Sequence, residues 1–419
     1  MENHALLDTP SESLQNEQIT EKNNRIIEED FIQKAQNYSQ GIANWKKRYQ
    51  YYRQVNSAIG PHVRTGDQDV VMLASNDYLG LSNHPFVKDE AIKAISKYGV
   101  GAGSCAGLSG TFDLHNELEK ELADFKGAEA ALLFSTGFLA NYGVITTLLD
   151  RDYVIINDEK NHVSILEGCR AIRARTRMFR HNDMESLESV LKLYEKNKKV
   201  IIVEGIYSMD GDIANLPEII PLAKRYNAQL IIDDAHATGV LGENGRGSLE
   251  YFNLDSGADI VTDSLGKSFG SIGGFITGSR LIVEHIKHLC SSYIFTTNLP
   301  PATCAATLAS LCIMKNEKGL RKKFLENSNI LRNGLIEMGF DTGNSQAHII
   351  PVIIGDESKT YEFARLLQKE NIFVGAVGRP IVPRGKARLR VAPMATHSCS
   401  DIERTLNAFK RVGKEIGMI

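Results

Sequence analysis

The chain has 419 residues, 42% of them apolar, and a net charge of −3; it is too long for one ordinary compact core and has ample apolar content for burial. Its 48 basic residues are scattered among 51 acidic ones, which leaves no electrostatic footprint for nucleic acid. The six cysteines are dispersed without CxxC or metal-ligand spacing and read as reduced structural residues, so no metal site is expected, and no apolar run approaches the roughly 18 residues of a membrane span.

Residues 1 to 28 are polar and acidic, with no basic segment ahead of an apolar one, and are expected to be a disordered leader of a cytoplasmic protein. Over 29–69 the basic and aromatic stretch FIQKAQNYSQGIANWKKRYQYYRQV predicts a helical arm. Its Trp45, Tyr49 and Tyr52 suit packing on a core or a subunit partner more than a membrane surface, while leaving peripheral membrane contact open. From Val70 onward, β-branched runs alternate with helical stretches: AALLF, YVIIN, KKVIIVEG, AQLIIDDA and ADIVTDS. Continuous apolar strands separated by helices imply an α/β domain over 70–305, built on a mainly parallel sheet covered on both faces, with function at the carboxyl ends of the strands. Beyond residue 305, long helices and the short strands HIIPVIIG, IFVGAV and ARLRVA predict a smaller α+β domain over 306–419.

Polar residues follow the predicted strands in the expected place: Ser135, Thr136 and Gly137, then Glu204, Asp233 and Asp234, and finally Ser264 to Lys267. Lys267 lies in TDSLGKSFGSIGGF, and a lysine after a strand end, followed by glycines that let backbone approach a bound group, is what attachment of an aldehyde cofactor requires. Most lysines are solvated surface charges, so position and company decide. The company is IIDDAH, where Asp233 can pair with a protonated ring nitrogen and His236 can reach a ring hydroxyl or the attachment point; an acidic turn with a capping Asp is the plainer reading of that segment alone. In FSTGF, Thr136, Gly137 and Phe138 stand at a strand-to-helix junction, which favours a phosphate but also suits an ordinary cap. His162 follows YVIIN and could stack on a ring, and Ser208 in GIYSMDGD could meet the ring hydroxyl.

Taken in order, ASNDYLGL, FSTGF, NHVSIL, YSMDGD, DDAHATG, SLGKSFG and RLRVAPMATH resemble the α-oxoamine synthase family over about residues 70 to 415. The resemblance implies a pyridoxal 5'-phosphate (PLP) enzyme of the transferase fold type I that condenses a small amino acid with an acyl thioester, from CoA or a carrier protein, and releases CO₂. It places the cofactor on Lys267, the ring-nitrogen carboxylate at Asp233, His162 against the ring, and Ser208 and His236 near its hydroxyl. Thr136, Gly137 and Phe138 fall near the phosphate end, and Ser264 is among the cofactor-binding positions. Asn76 matches a substrate-side position and Arg390 the arginine that holds the amino-acid carboxylate. A homodimer with shared sites is implied, Thr296 and Thr297 of FTTNLPP reaching the partner's phosphate.

Two positions depart from the pattern: Ser264 stands where Thr is usual, and Ala106 where several relatives carry Arg. Within the family, LFSTGF, SIGGF and MATH lean towards the serine palmitoyltransferase branch, and this is the reading preferred from sequence, with L-serine and a long-chain acyl-CoA as substrates. GENGRGS and RPIVPRGKARLR lean towards the 8-amino-7-oxononanoate synthase branch (alanine and a pimeloyl thioester); the 2-amino-3-ketobutyrate CoA ligase branch is a further alternative. Transamination on the same fold and a non-catalytic pseudo-subunit are the readings from other classes.

Overall fold

In the computed structural model, which describes residues 30–37, 52–254 and 256–419, the apolar runs become strands whose alternate side chains serve two different cores. The chain divides into the units Met1–Arg53 and Gln54–Ile419. In the first, residues 30–37 form a helix carrying the ion pair Lys34–Asp30 at 2.6 Å; the leader over 1–28, Trp45 and Tyr49 lie outside the described residues. In the second, β1 (His62–Thr65) and β2 (Gln68–Met72) pair antiparallel. The stretch 29–69, expected to be helical, thus ends in strand, because Val63, Val70 and Met72 alternate into a small core of their own.

β3 (Ala130–Phe134), β4 (Tyr153–Asp158), β5 (Arg175–Phe179), β6 (Lys198–Glu204), β7 (Gln229–Asp233), β8 (Ile260–Ser264) and β9 (Gly274–Gly278) form one seven-stranded sheet in the order β3-β9-β8-β7-β6-β4-β5. Only β9 runs against the others, antiparallel to both β3 and β8. Along β4, β6 and β7 alternate residues enter separate cores. Ile155, Val200, Ile202 and Ile231 pack with the helices Gly137–Leu148 and Val163–Ile172, while Val154, Ile156, Ile201, Val203, Leu230 and Ile232 pack with Met184–Leu193 and Leu216–Arg225. A sheet buried on both faces explains why these strands read as unbroken apolar runs.

Two strands are not legible as such. RTRMF is a charged edge strand, and GFITG follows the lysine segment and reads as loop. Further along, β10 (Ile350–Gly355), β11 (Ile372–Phe373), β12 (Gly375–Val377) and β13 (Ala387–Val391) complete two small sheets, β10-β13-β12 and β1-β2-β11. IFVGAV is therefore two strands, the first pairing with β2 and the second with β13. Among the described residues no helix is long and apolar enough to cross a membrane.

The loop after β6 is fastened to β4 by a buried charge. His181 meets Asp158 at 2.9 Å through Nδ1 and Asp212 at 2.6 Å through Nε2. Burial opposes its charge, but the two carboxylates outweigh burial and raise its pKa to about 9. An unfolded histidine loses its proton near 6.5, so the clamp stabilises fully below about pH 6.5 and is lost as pH rises through about 9. Urea unfolding followed across that window should show a stability loss of roughly 2–3 kcal/mol in the wild type. His181→Gln should remove that slope.

Candidate active site

The carboxyl ends of β6, β7 and β8 sort their polar side chains by the same alternation. Glu204 and Asp233 are register partners on adjacent strands and lie on the face covered by the helix Gly137–Leu148. From that helix the buried Asn141 donates through Nδ2 to Asp233 at 2.6 Å and to Ser164 at 3.0 Å, and Thr262 of β8 donates to Asn141 Oδ1 at 2.5 Å. The second oxygen of Asp233 accepts from the Ala235 N–H at 3.0 Å. Donors on both oxygens fix the orientation of this buried carboxyl. Glu204 is served on one side only: it is 2% exposed, backbone N–H groups of His162 and Ser208 reach it, and its Oε1 has no partner. Burial, and then the charge of Asp233, push its pKa well above the ordinary carboxyl range.

Asp234, the next residue, turns to the other side. There Lys126 lies 3.1 Å from Asp234 and 3.5 Å from Asp263, all three side chains almost wholly buried. Ser248 and Thr238 donate to the same two carboxylates. Burial, partly offset by Lys126, raises the Asp263 pKa to about 6.

Lys267 stands in the hairpin between β8 and β9. Its loop is closed by Leu265 N–H to Gly273 O at 3.0 Å and Gly270 N–H to Lys267 O at 2.8 Å, and anchored by the fully buried Leu265 and Phe269. Lost hydration lowers the Lys267 pKa despite the opposing pull of Asp233, Glu204 and Asp263. The amine is thereby brought closer to the free-base form that nucleophilic and proton-transfer chemistry needs. His162, at the N-cap of Val163–Ile172, is held by Ser164 at 2.8 Å, and its exposed ring feels the charges of both Asp233 and Lys267.

A third wall comes from the loop around Asn76 and from β13. Asp77 accepts from Leu81 N–H at 2.9 Å and Ser82 Oγ at 2.5 Å, folding ASNDYLGL into a turn. At Gly80, with φ of 72°, a Cβ would sit 2.6 Å from Thr396, so glycine is required there. Arg388 and Arg390, two apart on β13, point to the same side. Arg388 is spent on Asp210 and the Met209 carbonyl, each at 2.9 Å. Arg390, 8% exposed, donates to Ser208 O at 2.8 Å, Asn76 Oδ1 at 3.2 Å and the Tyr78 hydroxyl at 3.3 Å. Arg379, by contrast, is paired with Glu357 at 3.0 Å. Tyr78 lies 2.7 Å from His236 Nδ1. Burial, then the charges of Lys267 and Arg390, hold the His236 pKa well below its ordinary value, so its ring is neutral.

At the fourth corner Thr136 caps the helix Gly137–Leu148, accepting from Leu139 N–H at 3.1 Å, and the helix start presents its positive end. A Cβ on Gly137 would meet Ser264 Cβ at 3.0 Å, and one on Gly274 would meet Gly137 at 2.6 Å. Position 274 can only be glycine, a side chain at 137 would have to push Ser264 aside, and the backbone is drawn tight around the helix terminus. Ser135 donates to Thr297 O at 3.0 Å, and Ala106, Ser135, Thr296 and Thr297 line one cleft. Thr296 Oγ1 donates to Ser292 O at 2.8 Å.

The structure thus gathers Lys267, Asp233, His162, His236, Ser208, Asn76 and Arg390, and sets Thr136, Gly137, Phe138 and Ser264 at one helix start, with Thr296 and Thr297 in a neighbouring cleft. Sequence reasoning missed Asn141, Tyr78 and the Lys126 cluster. A lone amide inside the apolar run GFLANYGVITTL is the one signal that marked Asn141.

The model of the class I and II aminotransferase family matches residues 68–409. The chain is 46% identical to the 8-amino-7-oxononanoate synthase of Thermoanaerobacter pseudethanolicus over 87% of its own length and 93% of that protein. It is 42% identical to the enzyme of that name in Geobacter sulfurreducens, over 88% and 96%. Its fold is similar to that of a serine palmitoyltransferase from S. paucimobilis solved with PLP and myriocin (TM-score 0.88, 31% identity, 92% of this chain and 99% of that one). It also matches an 8-amino-7-oxononanoate synthase from Francisella tularensis (TM-score 0.72, 26% identity, 83% and 98%). These likenesses place the chain in the PLP-dependent transferase fold type I. They side with the 8-amino-7-oxononanoate synthase branch rather than with the serine and long-chain acyl-CoA reading preferred from sequence.

Replacing Asn141 by Leu keeps bulk but strips Asp233 of its side-chain donor, leaves Thr262 without its acceptor, and leaves Ser164 with His162 alone. Loss of a buried bond to a charged group costs about 1.5–3 kcal/mol. Urea denaturation of Asn141→Leu should show a loss of that size, and an unchanged midpoint would remove Asn141 from its assigned role.

Proposed function

The chain belongs to the α-oxoamine synthases, PLP-dependent C-acyltransferases within the class I and II aminotransferase family, and from that membership we propose that it forms 8-amino-7-oxononanoate from alanine and a pimeloyl thioester. One observation carries this choice of substrates: curated relatives 42% and 46% identical to the chain bear that enzyme's name, whereas a serine palmitoyltransferase of similar fold is 31% identical. The product's carbon count agrees. A seven-carbon dicarboxylic acyl group and a three-carbon amino acid stripped of its carboxylate make a nine-carbon chain with ketone and amine adjacent.

The residues present fit PLP. A half-buried lysine of lowered pKa, an aspartate near it fixed through both oxygens, and a tight glycine cradle at a helix start are the donor set such a group needs. When bound, PLP supplies an aldehyde for amine attachment and a protonated ring that takes up the electron pair released at the amino acid's α-carbon. Asp233 would hold the proton on the ring nitrogen, His162 would lie against the ring, and Ser208 and His236 would approach its hydroxyl. Thr136, Gly137, Phe138 and Ser264 would hold the phosphate, joined across a homodimer by the partner's copies of Thr296 and Thr297.

Lys267 Nζ takes the α-proton, its depressed pKa leaving more of the amine free at neutral pH. Arg390 holds the amino-acid carboxylate in its planar fork, orienting it first for proton removal and then for departure. A carbon–carbon bond forms at the α-carbon as the thioester C–S bond breaks and the thiol leaves; CO₂ departs, and a proton replaces it on the α-carbon. Burial of Arg390 beside Tyr78 and Asn76 excludes water from the carboxylate side.

A screen of Gly, Ala, Ser and Thr against short, dicarboxylic and long acyl thioesters, read by product mass, should give turnover with alanine and the pimeloyl donor. A serine and long-chain product would overturn the substrates but keep the reaction, and a keto acid without thiol release would make the protein a transaminase. Lys267→Ala should abolish turnover and the fixing of PLP to the chain by borohydride.

A further inference from the structure

The Tyr78 hydroxyl has one proton and three close neighbours. It lies 2.7 Å from His236 Nδ1, 3.1 Å from Asn76 Oδ1 and 3.3 Å from Arg390 Nη2. Its side chain is 0% exposed, and its ring is gripped by His348, edge-on at 4.1 Å between centroids, and by Phe324 at 5.9 Å. The hydroxyl therefore cannot swing to other partners, and its proton must be assigned among these three.

Arg390 can only donate, so its Nη2 contact makes the phenol oxygen an acceptor. Asn76 Oδ1 can only accept, and already receives Arg390 Nη1 at 3.2 Å. His236 is neutral and carries a single ring proton. Two arrangements remain. In one, the phenol proton goes to Asn76 and His236 keeps its own proton on Nδ1, directed at the phenol. In the other, the phenol donates to Nδ1 and the histidine proton sits on Nε2. The contact to Nδ1 is the shorter by 0.4 Å, and the Asn76 oxygen is already served by the guanidinium.

We propose that Tyr78 is a positioning residue that fixes His236 as its Nε2–H tautomer, and that it links this choice to the Arg390–Asn76 clamp through one shared hydroxyl. His236 then presents an N–H donor, not a lone pair, on the ring edge turned away from Tyr78. The same hydroxyl steadies the guanidinium, so losing it acts on both the histidine and the amino-acid clamp. The proposal rests on the function above only in taking an amino-acid carboxylate to be the ligand of Arg390.

The test uses the holoenzyme with ¹⁵N-labelled histidine, the His236 signals being identified by their loss in His236→Gln. Long-range nitrogen–proton spectra of the wild type should show the Nε2–H pattern, and Tyr78→Phe, which keeps the ring between His348 and Phe324, should shift His236 to a mixture or to Nδ1–H. Spectrophotometric titration of the same variant with the amino acid should show a Kd raised about threefold to tenfold, the size of one lost hydrogen bond, with the acyl-donor KM little changed. An Nδ1–H pattern in the wild type overturns the assignment even if Tyr78→Phe does not fold, and an unaltered tautomer in a folded Tyr78→Phe overturns it as well. The tautomer reading does not depend on which amino acid is the substrate, so its failure is distinct from a failure of the substrate assignment.

Discussion

Side chains on a strand alternate between faces, and at the end of β7 this puts Asp233 and Asp234 on opposite sides of the sheet with different neighbours. The first meets amide donors and the lysine hairpin, the second a buried ammonium. Had both faced one side, two carboxylates and Glu204 would crowd one pocket, and burial would drive them to share protons. Separation leaves Asp233 to the site while Asp234 is consumed in holding β7, β8 and the helix Asp113–Lys126 together. Glu204, the register partner of Asp233, shows the alternative: with Oε1 unpartnered and a charge beside it, it is driven towards its neutral form.

The Lys126 cluster is a buried charge triad of unequal members. One ammonium faces two carboxylates, and the hydroxyls of Thr238 and Ser248 with the backbone N–H groups of Ser248 and Ser264 supply further donors. Desolvating three charges is expensive, and removing any one strands the others, so such clusters are hard to simplify by single substitutions. It also explains the glycines nearby. A Cβ at Gly205 or Gly247 would fall 2.1 Å from an Asp234 oxygen, so the loops around it can close only over a residue without a side chain.

Much of this arrangement is legible in the residues. Lys267, Asp233 and Thr136 follow apolar strands whose period and length are clear, and strand ends in a parallel sheet gather function. Asn141 is less legible because its helix is apolar almost all round, and one amide in such a helix reads as an ordinary polar position until the packing shows Asp233 beneath it. β9 is obscured by its glycines, which are needed for close backbone approach rather than for a turn. Tyr78 is hidden by its neighbour: the motif draws attention to Asn76, and an aromatic two residues on reads as core, which it also is. The motifs leave serine and alanine both open because they are divided: LFSTGF, SIGGF and MATH lean towards one branch, GENGRGS and RPIVPRGKARLR towards the other.

The lysine hairpin has a mechanical meaning. Most connections in this sheet pass through helices, but β8 and β9 are antiparallel neighbours, paired in register from Ser264 with Gly274 to Ile260 with Gly278. The backbone that carries Lys267 is therefore stapled to the sheet on both sides, with two buried side chains pinning the loop between. Whatever excursion the amine makes is confined to the four methylenes of its own side chain. The protein thus separates a rigid address from a flexible tether: the amine can swing away and return to the same point without any element of the fold having to move.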